Sequence, residues 1–311
     1  MIIDAHCHIF STMDGRVGRG VTRSLTNGMI QVGDEMPSRL LPPLNSETTF
    51  PPDTLLQFMD WCGIDRAVLL QGPLYGDLND YLARTVSEWP DRFVGAAYVD
   101  PKARDARHQF LRAVEDLGFH ILKFEMTTST GLLSLYPDLR LDDDAMAWIW
   151  EEAASRKLTV VLDLGRPGSP SYQTGILRGI IDRHPNLQIV IAHLGQPPIA
   201  NSKDTRLTGL WREQLLLGRH PNVTFDLSAL PAYSQDEDFP FVTSQHFVRE
   251  ALRLVGPGKL MWGTDVPGLL GVSTYHQLRS WVESYCDFLT AEELSLIMGE
   301  TAGRVYVDSA P

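Results

Sequence analysis

Short apolar runs alternate along this chain with longer segments in which apolar residues recur every three or four positions. The short runs, rich in β-branched residues, read as strands, and the longer segments read as amphipathic helices. Eight strands are predicted, near residues 2–8, 66–71, 93–99, 119–125, 158–164, 188–194, 222–227 and 260–265. Strand–helix alternation predicts a parallel sheet, and eight such units close a (β/α)8 barrel. The expected fold class is therefore α/β, a (β/α)8 TIM barrel formed by residues 1–311 as one domain. A doubly wound open sheet is the alternative, but it normally carries a glycine-rich phosphate turn after its first strand, where this chain reads HCHIF.

Local signals agree with that pattern. In DDDAMAWIWEEAASRK, acidic residues suit the positive helix N-terminus, and Met146, Ile149, Trp150 and Ala153 share one face. Thr290 and Glu293 have capping-box spacing and start a C-terminal helix. Residues 11–50 form a long insertion after the first strand, read as a lid.

Composition narrows the partners. With 43% apolar and 21% charged residues the chain is a globular one with ample core. Its 27 Lys and Arg against 39 Asp and Glu give a net charge of -12, which argues against nucleic acid or an anionic membrane as partner. Three cysteines without metal-type spacing predict buried thiols and a reducing compartment. The opening MIIDAHCHIF has no basic region or cleavage site, so a cytoplasmic location is expected.

The candidate chemistry lies at strand ends. Alternation predicts Asp4, His6 and His8 on one face of the first strand, with both histidines near its C-terminal end, where barrels build their sites. A lone His-x-His is a weak signal, because two histidines can be ordinary hydrogen-bonded residues. Asp163, His193, Asp226 and Asp265 end four further strands, and ionised carboxylates converging on one mouth need cations, donors or a metal. Asp226 best fits a local turn role with Ser228. His6, His8, Asp163 and Asp265 together offer enough nitrogen and oxygen donors for a divalent metal, zinc or manganese. Lys123 shares a face with Ile121 and Glu125 and is expected to point inward, to pair with Glu125 or Asp163 or to bind an anionic substrate. Arg16, Arg19, Arg23 and Arg39 in the insertion, and Arg166 after the fifth strand, are candidates for binding a carboxylate.

DAHCHIF, GFHILKFE, VIAHLG, MWGTDVP and GETAGRVY together resemble the amidohydrolase-related branch of the amidohydrolase superfamily over nearly the whole chain. The resemblance implies a barrel hydrolase or decarboxylase in which His6, His8 and Asp265 hold a divalent metal such as zinc and His193 assists substrate or water activation. It also implies a departure, because metal-dependent members usually have histidine where this chain has Asp163. Some relatives hydrolyse lactones without metal, so both routes are carried forward. In binuclear relatives a carboxylated lysine stands at the position of Lys123. The expected activity is hydrolysis of an ester, lactone or amide in a small carboxylate-bearing molecule, with Asp265 activating water. Decarboxylation of an aromatic or unsaturated acid is the second reading, and a barrel that binds a small acid without turnover is the third. The expected partners are that small anionic substrate and, in an oligomer, further copies of the chain.

Overall fold

The computed structural model describes residues 1–234 and 237–308. All eight predicted strands are present: β1 (Ile3–Cys7), β2 (Arg66–Leu69), β3 (Phe93–Gly95), β4 (Ile121–Glu125), β5 (Thr159–Asp163), β6 (Gln188–Ile191), β7 (Val223–Asp226) and β8 (Leu260–Met261). They lie parallel in two arcs, β1-β2-β3 and β4 through β8. Backbone hydrogen bonds stitch both seams. Ala97 donates to Ile121 (2.8 Å) and Lys123 to Ala97 (2.9 Å) between β3 and β4. Ala5 donates to Trp262 (3.0 Å), Asp265 to His6 (2.8 Å) and His8 to Val266 (2.8 Å) between β1 and β8.

Helices cover the ring because their apolar stripes need burial. The helix Asp144–Ser155 buries Met146, Ile149, Trp150 and Ala153, and Asp143 caps it by accepting from the Ala145 amide at 3.0 Å. Thr290 and Glu293 form the expected capping box. The barrel interior divides in two. Its lower part is an apolar cluster of Ile3, Val68, Val94, Ile121, Val161, Val190 and Met261, closed from beneath by Ala302, Val305 and Tyr306 of the C-terminal helical segment. His120 and Thr159 tie that segment to the strands by donating to the Tyr306 and Val305 carbonyls, at 2.8 and 3.3 Å. All three cysteines are buried and free.

Strict alternation along β1 fails. The register with β2 slips between Asp4 and Cys7, so the strand carries an irregularity of bulge type there. Asp4 consequently faces away from the histidines. It shares Thr264 and Tyr275 with Cys7, and its Oδ2 accepts from both hydroxyls, at 2.6 and 2.7 Å. His6 and His8 both still reach the mouth. Gly263 makes the adjustment fit, since a Cβ there would lie 3.2 Å from the His6 backbone nitrogen and Cβ.

The insertion contains four short antiparallel strands, Arg16–Val17, Gly20–Ser24, Met29–Val32 and Ser38–Arg39. It attaches to the loop after β2, where the Arg16 amide donates to Pro73 (2.9 Å) and the Asp14 amide to Tyr75 (3.4 Å). Among the described residues no helix is long and apolar enough to cross a membrane.

Candidate active site

At the C-terminal ends of the strands lies a cavity of about 490 Å³, lined by His6, His8, Lys123, Asp163, His193 and Asp265 among others. The His6 ring lies 5.2 Å from that of His8 and 4.6 Å from that of His193. The backbone that presents the mouth is strained. His193, Leu194, Gln196 and Asp265 have left-handed φ angles of 56°, 53°, 48° and 64°, which non-glycine residues adopt only where surroundings enforce them.

Hydrogen bonding fixes each imidazole. The Nδ1 of His8 donates to the Leu70 carbonyl at 2.8 Å, which turns Nε2 toward Asp265 Oδ1, 3.0 Å away. The Nδ1 of His6 donates to Asp226 Oδ2 at 3.1 Å, which turns its Nε2 toward the same Asp265 oxygen at 3.7 Å. Burial, ahead of any charge effect, pushes His6 down to about 4, so at neutral pH that Nε2 carries a lone pair. Ser228 donates its hydroxyl to Asp226 and accepts from Nδ1 of His193 at 2.8 Å. The Nε2 of His193 then faces Asp163 Oδ2 at 3.6 Å. Burial alone would lower His193, but contact with Asp163 and the charges of Asp163, Asp265 and Asp226 override it and hold the ring up at about 9. His193 is therefore an imidazolium at neutral pH.

The carboxylates differ in what they serve. Burial would raise Asp265, yet the His8 hydrogen bond and the positive charge of His193 outweigh it and keep it below the usual range and ionised. Asp226 is fully buried, and its pKa is likewise lowered because the opposing effect of burial is outweighed by His6, His193 and Ser228. Its Oδ1 accepts from the His193 amide (2.9 Å) and the Ser228 amide (3.1 Å). The local turn role expected for Asp226 is thus present, but the same carboxylate also orients two imidazoles, which chain spacing did not reveal.

Among the described residues two groupings bring metal-binding atoms together: His6, His8 and Asp265, and His6, His193 and Asp226. In the second, N–H and O–H donors already occupy the Asp226 oxygens. In the first, the outward nitrogen of each histidine is held by a donor bond, and the inward Nε2 atoms converge on one carboxylate oxygen. Such supporting bonds are the usual way of aiming metal ligands, and the donor set fits a divalent cation. Asp163 joins neither grouping, contrary to its expected place among the ligands. Its Oδ1 is taken by the Gly165 amide (2.9 Å) and the Gln196 side chain (3.0 Å), while Oδ2 faces His193.

The expected cations separate in the same way. Lys123 is only 2% exposed and lines the cavity, but forms no ion pair with Glu125 or Asp163. Glu125 instead accepts from the Thr127 and Thr130 hydroxyls, and burial raises its pKa, with the Asp163 charge adding to it. Arg166 is exposed and lines the cavity. The four insertion arginines do not line it. Arg16 borders a different cavity with Asp14, Asp77 and Asp100. Arg19 pairs with Glu35 at 2.8 Å, Arg39 donates to the Asn27 and Leu41 carbonyls, and Arg23 is exposed. The insertion supplies no wall to the cavity, because its sheet leans on the loop after β2. That loop contributes Leu74 and Tyr75, and Tyr75 stacks on His8 with ring centres 4.7 Å apart. Periodicity gives no signal for Tyr75 and Gln196, which sit in loops, or for Tyr233, which ends a single short turn of helix, Leu230–Tyr233.

Comparison with known proteins agrees with this architecture. The amidohydrolase family model matches residues 3–307. An L-fucono-1,5-lactonase of Burkholderia multivorans is 30% identical over 136 residues, covering 42% of this chain and 46% of that protein, so the match spans about half the relative's length. An amidohydrolase of Burkholderia multivorans crystallised with zinc superposes with a TM-score of 0.72 at 18% identity, covering 100% of both chains. A probable 2-pyrone-4,6-dicarboxylic acid hydrolase of Acinetobacter baumannii, with citric acid bound, superposes with a TM-score of 0.69 at 18% identity over 98% of both. At that identity the two structures establish the fold.

Proposed function

The chain belongs to the amidohydrolase family, and on that premise we propose that it hydrolyses an ester-type carbonyl, a lactone first among them, in a small substrate bearing an anionic group. The observation that carries this reading is the ionised Asp265 with the Nε2 atoms of His6 and His8 converging on it, and a protonated His193 whose ring lies 4.6 Å from that of His6. A base and an acid thus line one cavity, as carbonyl hydrolysis requires. Lactones take precedence over amides because the lactonase relative is 30% identical to this chain over 136 residues.

His6, His8 and Asp265 are the residues that would hold a divalent ion, zinc or manganese by donor type. When bound, such an ion supplies Lewis acidity and stabilises developing negative charge. The chain's own groups do the rest. Asp265 accepts a proton as water adds to the carbonyl carbon, and Asp226 keeps His6 in the tautomer that leaves Nε2 facing inward. His193 donates its Nε2 proton toward the oxygen that gains charge, with Asp163 and Ser228 holding the ring. Lys123 provides a buried cation for the substrate's anionic group, since it lines the cavity and, although its charge acts on Glu125 and Asp163, it is in ion-pair contact with neither. Tyr75 covers His8 and limits access of bulk water.

The test is a panel of lactones, esters and amides, each as a free acid and as a neutral analogue, followed by proton release and product analysis. Acid-bearing lactones should be opened with release of one proton per turnover. Release of carbon dioxide in place of ring opening would assign the site to decarboxylation, and saturable binding with no turnover would make it a binding barrel.

A further inference from the structure

Beside the catalytic cavity runs a second depression of about 430 Å³, and the two share Arg166, Ser169, Gln196 and Tyr233 as a common wall. Their other walls differ in chemistry. The catalytic cavity is crowded with hydroxyls from Thr127, Thr128, Thr130 and Ser171. The adjoining groove is formed mainly by Pro167, Pro197, Pro198, Ile199 and Leu207, with Asn201, among the described residues, its one polar side chain beyond the shared wall, and the three prolines and Ile199 are buried by the fold around them. Three prolines remove three backbone donors from that wall. A polar group placed against it would lose water and find few partners, whereas an alkyl or aryl group would lose nothing. The wall is also preset, since prolines hold a fixed φ and Gln196, which leads into them, is locked by its bond to Asp163.

We propose that this groove is a subsite for the apolar distal end of the substrate whose reacting carbonyl occupies the catalytic cavity. The two cavities meet at Tyr233 and Gln196, so one molecule spans both without leaving the protein surface. A compact lactone would fill the catalytic cavity and leave the groove to solvent. The preferred substrate is accordingly bipartite, with an anionic or carbonyl head and an alkyl or aryl tail. This inference rests on the mouth being the catalytic centre as proposed above, and the test separates the two.

Two series are measured on the full-length enzyme. In the first, straight-chain carboxylates from butanoate to decanoate, below their micellar concentrations, are titrated by calorimetry. Affinity should rise about two- to fourfold per methylene, as burial of hydrocarbon predicts, and this readout needs no turnover. In the second, lactones carrying methyl to hexyl tails are assayed, and kcat/KM should rise in parallel. Leu207→Asp should flatten both series, and Leu207→Trp, which fills the groove without adding charge, should do the same. Affinity that is independent of chain length, or a gain that survives both variants, overturns the subsite. A chain-length gain in affinity with no hydrolysis of any lactone upholds the groove and removes the hydrolase reading instead.

Discussion

The two ends of this barrel are built from the same strands and obey different rules. At the base, Ile121, Val161, Val190 and Met261 meet in an apolar cluster closed by Val305 and Tyr306. At the mouth the same strands and the turns that follow them carry Lys123, Asp163, His193 and Asp265, and the backbone takes left-handed turns at His193 and Asp265. The base is held mainly by packing, with two hydrogen bonds from His120 and Thr159 to the closing segment, and packing tolerates exchange among apolar residues of similar volume. The mouth is satisfied by named pairs, in which loss of one member strands another buried polar group. Rigidity below therefore supports strain and concentrated charge above.

The contrast breaks most visibly at Asp265. Replacement by Asn keeps the shape and removes the base, so kcat/KM should fall about 100-fold or more, while circular dichroism and thermal melting stay close to wild type. A variant that keeps its activity would show that another group accepts the proton. Next in size is Lys123→Met, which should raise KM for anionic substrates about 10- to 100-fold, the worth of a charge-assisted bond, and leave neutral analogues unaffected. Equal losses on both kinds of substrate would mean that Lys123 maintains the cavity and does not read charge.

The third effect is graded by pH. His193 has an ordinary value of 6.5 and is held at about 9 in the folded chain. Its stabilising contribution is full below pH 6.5 and is lost as pH rises through about 9, because between those values the folded state binds the extra proton. Activity that uses the imidazolium should fall about tenfold per unit above pH 9, and His193→Gln should remove that limb. The smallest effect belongs to the base. Ile121→Val should cost about 0.5–1.5 kcal/mol of stability, read from denaturant midpoints, with kcat/KM unchanged in the folded fraction. A matching loss of activity would show that the mouth feels the packing beneath it.

How much of this was legible along the chain follows the same division. The eight strands were visible because apolar runs and helical stripes repeat with fixed periods, and each strand end bearing His193, Asp163 or Asp265 could be placed from them. The slip in β1 was not, since a single displaced residue between Asp4 and Cys7 leaves the pattern of residue types unaltered. The part of Asp226 in orienting His6 and His193 joins positions far apart in the chain and has no local signature. Arg16, Arg19, Arg23 and Arg39 were drawn toward the cavity by charge alone, and the course of the insertion, leaning on the loop after β2, decides otherwise.

The seam between β1 and β8 carries a consequence for the newly made chain. Asp4 meets Thr264 across 260 positions, and His8 meets Asp265 across 257. Contacts of such separation demand the greatest loss of chain freedom and form late. A ribosome has released His6 and His8 long before it has made the carboxylate they converge on. Catalytic competence should thus arrive in one late step, when the last strand docks against the first, and nascent chains that end before residue 260 should be inert however much of the ring they have assembled.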